Sequence, residues 1–243
     1  MAVAFGAIGA KSAGGTTTID VPHPASVGAG DLLIAGRVLY QVAGISAADE
    51  AGWTAGAELR GGTGTSADAH ATMAATDYKE AAGGETGNVT FDQTGTVAGC
   101  LGIMARYTKG SGTWDVTSAS GDDATHAADR SVTTSTNMDL APGDVLVAVV
   151  AVDTDAALTI TSPTFTASGI TFGTVNRRTS GAGVITGNDG NVELFDVDVS
   201  SGTATAAVTF AFTTVTTQCG PASFLRLREV AAPAAPPILV MPR

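Results

Sequence analysis

Residues 141–153 read APGDVLVAVVAVD, and residues 28–40 read GAGDLLIAGRVLY. In both, a small residue and Gly-Asp lead straight into an apolar run. Gly relaxes the backbone and Asp can bond nearby amides, so Gly-Asp closes a turn. The run 145–152 is too continuous for a strand with one wet face. It is also far short of the roughly 20 residues that a membrane-spanning helix needs. Each stretch therefore reads as a central strand of a sheet. One face should rest on its own core, and the other should be covered by a loop or a neighbouring chain. This makes Leu33 and Leu146 equivalent core residues.

The echo extends along the chain. NVTF ends at Phe91 and AVTF at Phe210, an offset of 119 residues (210 − 91), and Cys100 and Cys219 share that offset. Asp31 and Asp144 lie 113 apart, so the second copy carries about six extra residues in its middle. The segment with Leu101, Ile103 and Met104 matches the one with Phe224, Leu225 and Leu227. Four features in one order point to an internal repeat.

The 243 residues suit two units. Helical periodicity is almost absent. Short apolar or alternating runs at 16–21, 31–40, 71–79, 87–92 and 98–108 read as strands of a first unit. Those at 144–153, 158–166, 190–199, 205–213 and 223–230 read as a second set. Turn residues separate them, and GNDGN (187–191) is a hairpin candidate. Such spacing indicates an all-β chain of two tandem β-sandwich units, 1–116 and 117–230. The polar stretch 107–130 overlaps both as the expected linker, and its Trp114 should pack where the units meet or in the first core. The apolar start, MAVAFGAIGAKSAGG, lacks a basic leader segment and reads as strand. Residues 231–243 hold four of the nine prolines and read as an extended tail.

Composition narrows the function classes. With 12 Lys and Arg against 23 Asp and Glu, the formal charge is −11, and the basic residues are scattered. Nucleic acid is not an expected partner, and neither is membrane insertion. Only 14% of residues are charged, which leaves a Thr, Ser, Gly and Ala surface that resists association poorly. A homo-oligomer is expected.

Little in the sequence carries chemistry. Asp122/Asp123, Asp153/Asp155 and Asp196/Asp198 offer oxygen ligands for Ca²⁺, but none sits in an EF-hand-like loop. Asp196 and Asp198 alternate on what reads as the outer face of a strand, so solvated carboxylates are expected. His23, His70 and His126 lie far apart. No nucleophile elbow, zinc-protease helix or phosphate loop is present, and GGTGTS (61–66) leads into a strand rather than a helix. Cys100 and Cys219 read as small buried hydrophobes. Trp53, Tyr40, Tyr78 and Tyr107 could form a sugar-stacking platform, although a sandwich core needs bulk at the same positions. No enzyme activity, cofactor or metal is expected. In the tail, Pro236 and Pro237 precede the apolar strip Ile238, Leu239, Val240 and Met241. This strip is expected to dock on a neighbouring subunit or another protein during assembly, with packing on its own second unit as the alternative.

The first unit resembles a module of bacteriophage virion proteins, of the kind found in minor tail proteins of phages that infect high-GC actinobacteria. The likeness rests on Gly30–Asp31, Gly52–Trp53–Thr54, Tyr78–Lys79, Glu85 to Phe91, and Tyr107 to Gly110. The second unit keeps Gly143–Asp144 and Val208–Thr209–Phe210 but lacks the Gly-Trp-Thr turn. The resemblance implies jelly-roll-like or lectin-like sandwiches in a non-enzymatic virion structural protein. Such a protein is made in the bacterial host cytoplasm and assembled with other virion proteins in symmetric copies on the tail or its tip. A head (capsid) decoration protein and an adhesin for host surface glycan are the alternative expectations.

Overall fold

A computed structural model describes residues 3–40, 46–61, 72–97, 99–152, 159–179 and 191–231, with backbone only at 126 and 216–219. Among these residues all regular structure is strand, and no helix is present that could cross a membrane. The first half holds β1 (Ala4–Ile8), β2 (Ser12–Gly14), β3 (Thr18–Pro22), β4 (Leu32–Tyr40), β5 (Thr54–Gly61), β6 (Thr72–Glu80), β7 (Asn88–Asp92) and β8 (Gly99–Thr108). The second holds β9 (Thr113–Thr133), β10 (Met138–Leu140), β11 (Val145–Val152), β12 (Ile160–Thr166), β13 (Thr171–Phe172), β14 (Asn176–Arg177), β15 (Asn191–Ser201), β16 (Ala204–Ala206) and β17 (Thr209–Val230).

The two Gly-Asp turns are built alike. Asp31 Oδ2 accepts the Gly28 amide at 2.8 Å, and Asp144 Oδ2 accepts the Ala141 amide at 2.8 Å. Gly30 and Gly143 take φ of 84° and 91°, a region that favours glycine. The strands that follow, β4 and β11, are buried along their whole length. Each is central: β4 lies between β8 and β6, and β11 between β17 and β15. The register repeats as well. Ala35 faces Asp77 and Met104, while Ala148, 113 residues on, faces Phe195 and Phe224. The offset is thus 113 at β4/β11 and 118 at β6/β15, which places most of the inserted residues between those strands.

Each large sheet carries a small outer layer. In the first half this is β3 paired with β7, where Ile19 faces Phe91. In the second, Val132 faces Phe210 in the same relation, and β10 pairs with β16. The core between large and small layers contains Leu33 in the first half and Leu146 in the second, both fully buried. A third core joins the halves. Leu32, Ile34, Val38, Leu101 and Ile103 of one large sheet pack on Val145, Val147, Val149, Leu194 and Leu225 of the other. The second face of β4 and β11, expected under a loop or a neighbouring chain, is therefore covered by the other half of the same chain.

The two large sheets face each other in an approximately twofold relation, with β6 against β17 and β8 against β15. Residues on such an axis meet their own equivalents. Gly36 and Val149 are equivalent by the 113-residue offset. A Cβ added at Gly36 would sit 2.8 Å from both Val149 methyls. The glycine makes room for the valine. Gly36→Ala should therefore lower stability, by about 1–3 kcal/mol as overpacked cores do. In Gly36→Ala/Val149→Ala part of that loss should return. Urea melts of the four proteins in the cycle would check this, and strictly additive losses would contradict the contact.

Three expectations are corrected here. The segment 107–130 is not a linker. It contains the end of β8, a tight turn at 109–112 and most of β9, whose residues pair with β17 from Val230 back to Thr209. Residue 116 thus lies inside a strand rather than at a boundary. Trp114, at the start of β9, packs against the core shared by the halves and donates Nε1 to the Gly30 carbonyl at 2.8 Å. Second, Cys219 is not the counterpart of Cys100. Leu39 faces Cys100, and the register of β11 with β17, continued two residues past Val150 and Ala222, puts Gly220 at the matching place. Two irregularities in the pairing of β17 with β9, between Thr213 and Gln218 and between Gln218 and Gly220, add up to the one-residue difference. Third, Asp196 is buried at 2% exposure rather than solvated, whereas Asp198 is exposed as expected. The start of the chain is strand as expected, forming β1 and β2.

Candidate functional site

The charge inside β4, Arg37, is the point from which the main cavity is built. It is 1% exposed and lies on the outer face of its sheet, under the Phe91 ring at 4.8 Å. Trp53 meets Phe91 edge-on at 5.2 Å. A buried guanidinium must be paired and hydrogen-bonded. Asp77 on β6 supplies the partner: its Oδ2 accepts Arg37 Nε at 2.9 Å and Nη2 at 2.6 Å. Arg37 also donates to the carbonyls of Asp92 (3.1 Å) and Ala48 (3.2 Å).

Above this pair lies a cavity of about 470 Å³. Its walls are small: Ala47, Ala48, Ala55, Gly56 and Ala75. Its polar groups are Arg37 and Asp77 on the floor, the Ser46 and Thr94 hydroxyls, which bond each other, and the exposed carboxylates Asp49 and Glu58. Glu58 Oε2 accepts the Ala47 amide at 3.2 Å. Burial pushes the Asp77 carboxyl above its ordinary pKa. Arg37 opposes this, and Asp49 and Glu58 add to it.

A second polar cluster ties the halves together at one edge. Glu193 on β15 is fully buried. It accepts Lys11 Nζ (3.1 Å), Asn191 Nδ2 (3.2 Å), Arg177 Nε (2.9 Å) and the Thr179 hydroxyl. Asp196 accepts the Tyr107 hydroxyl and Arg178 Nε, both at 2.8 Å, and Asn176 Nδ2 at 3.1 Å. Lys11 and Tyr107 come from the first half and the rest from the second. Burial, and then the Asp196 carboxylate, raise the Tyr107 pKa well above its ordinary value, so its hydroxyl stays a donor. This cluster is a clamp.

The residues singled out in the sequence are scattered. Tyr40 and Tyr107 are interior, with Tyr40 Oη bonded to the Val152 and Asn191 carbonyls, so the four aromatics form no common platform. Asp123 accepts the amides of Thr125 and Ser131 and pairs with Arg130. No group of three His, Cys, Asp or Glu residues that could hold a metal ion occurs among the described residues. His23 lies beside the Gly87 carbonyl at 3.3 Å. Asp153, Asp155, His70, all of GGTGTS beyond Gly61, the GNDGN hairpin before Asn191 and the strip Pro236–Met241 lie outside the described residues, as do the side chains of His126 and Cys219.

Cys100 is fully buried, and burial raises its thiol pKa to about 11. Because the thiolate is the nucleophile, Cys100 should stay unlabelled by iodoacetamide at neutral pH in the folded protein and react once urea unfolds it. Peptide mass spectrometry reads this residue separately, and rapid native labelling at Cys100 would contradict its place in the core.

The Arg37–Asp77 pair was missed at the sequence level. The signal was there: a lone charge inside the apolar run DLLIAGRVLY demands a buried partner. The partner stands 40 residues away and only strand pairing identifies it. No protein-family model matches the chain, and no curated protein or solved structure is recognisably similar to it.

Proposed function

We propose that this protein is a non-enzymatic structural component of a bacteriophage particle, a minor tail or tail-tip protein assembled in symmetric copies with other virion proteins. The observation that carries this reading is how the residues behind the resemblance are used. Asp31 closes a turn and pairs with Arg106 at 3.0 Å. Trp53 packs on Phe91. Glu85 accepts the amides of Ala82 and Gly83 at 2.7 and 2.8 Å. Tyr107 clamps the halves through Asp196. These four residues of the motif are spent on scaffold, as suits a module selected for rigidity and assembly. A surface with few charges favours association in the same way.

Negative-stain microscopy of purified particles, labelled with antibody against this protein, tests the reading. Label at the tail or its tip is expected. Label on head faces or vertices would replace this reading with head decoration. Particles free of the protein would overturn the proposal.

A further inference from the structure

We infer that the cavity above Arg37 and Asp77 binds a small polar ligand through a primary ammonium group. The internal repeat supplies the comparison. By strand register, Arg37 corresponds to Val150 and Asp77 to Phe195. In the second half Phe195 packs at a tilt on Phe210 at 4.8 Å, and Phe165 and Phe212 pack on Phe210 at 4.6 and 5.3 Å. The second half also buries an arginine nearby, Arg130, over Phe212 and paired with Asp123, but packs apolar side chains at the two equivalent positions themselves. The first half places the ion pair at those positions and leaves space above it. A buried pair is seldom more stabilising than the apolar residues that could replace it, so stability alone does not account for this arrangement.

The state of Asp77 points to what is missing. Both Arg37 bonds go to Oδ2. Its other oxygen, Oδ1, takes no hydrogen bond from the protein, although the residue is 2% exposed and lines the cavity. The second half offers the contrast: Glu193, which corresponds to Ala75 of the cavity wall, has four donors. Asp77 Oδ1 is not sealed in the interior but opens on the cavity, where a ligand N–H would take the place of water.

Charge and donor count then select the ligand. Arg37 spends its N–H groups on Asp77 and on the Asp92 and Ala48 carbonyls. Asp49 and Glu58 add two negative charges at the rim. An anion would meet repulsion there and few free donors. An ammonium brings one positive charge and three donors, against the open acceptor of Asp77 and the rim carboxylates Asp49 and Glu58; the Thr94 hydroxyl is already taken up by Ser46. The alanine and glycine walls leave room for the body of an amino sugar or of a lysine-like side chain.

Titrations followed by amide chemical shifts at Ala47, Ala48 and Gly56 would test this. The probes are glucosamine, N-acetylglucosamine and Nα-acetyllysine. Glucosamine, Nα-acetyllysine or both should bind with Kd in the millimolar range and weaken with added salt. N-acetylglucosamine, which lacks the ammonium, should not bind. Asp77→Asn should abolish binding. The rim variant Asp49→Asn/Glu58→Gln, at exposed positions where folding is not at stake, should weaken it several-fold. Which of the two ammonium probes binds more tightly identifies the source of the group. Silence from both, equal binding of N-acetylglucosamine, or an undiminished affinity in the rim variant would overturn the inference. The outcome does not depend on where in a particle the protein sits.

Discussion

Glu193→Ala is expected to cost about 3–5 kcal/mol, the range for removing one partner from a buried charge network. Glu193 is fully buried, and its loss takes one acceptor each from Lys11, itself only 11% exposed, Arg177, Asn191 and Thr179. Burial already lowers the Lys11 pKa against the pull of Glu193, so removing the carboxylate lowers it further. Because Lys11 belongs to the first half and Glu193 to the second, the loss is also a loss of contact between halves. Glu193→Gln keeps the shape and one acceptor and should cost less. Denaturant melts with the slope unchanged would check both. A cost below about 1 kcal/mol for Glu193→Ala would mean that the donors reach water and the network behaves as a surface one.

Leu33→Ala and Leu146→Ala are each expected to cost about 2–5 kcal/mol, as deletion of a buried leucine side chain does. Both are fully buried at equivalent places, Leu33 facing Arg106 and Leu146 facing Arg226 on the neighbouring strand. They sit in different outer cores, one beneath β3 and β7, the other beneath Phe210 and Phe224. The repeat predicts losses of the same order. A loss under about 0.5 kcal/mol at either would break the equivalence, since exposed positions are the ones that behave so.

The fold was legible where hydrophobicity and turn chemistry agreed. The two Gly-Asp turns, the strands after them and the Phe91/Phe210 correspondence all follow from residue type. β9 was not legible because it is an edge strand. Small polar residues such as Thr117, Ser118 and Asp122 suffice there, since its pairing with β17 runs through the backbone. β5 was missed for a like reason: TAGAELRG has no clean alternation, and it follows a bulged register against β6. The Cys100/Cys219 match failed because irregular pairing in the middle of β17 changes the offset between the halves by one residue, and residue type does not announce such a shift. The cavity was less legible still. Arg37 announced itself, but Asp77, Asp49 and Glu58 are brought to it by three different segments, and no local pattern links them.

The central claim is that two sandwiches of one repeat share a third core and form a single rigid body. Scanning calorimetry of the full chain tests it most directly. The account predicts one transition in which the calorimetric and van't Hoff enthalpies agree, shifted as a whole by either Leu33→Ala or Leu146→Ala. Two transitions, or a calorimetric enthalpy about twice the van't Hoff value with each variant moving only its own half, would contradict it.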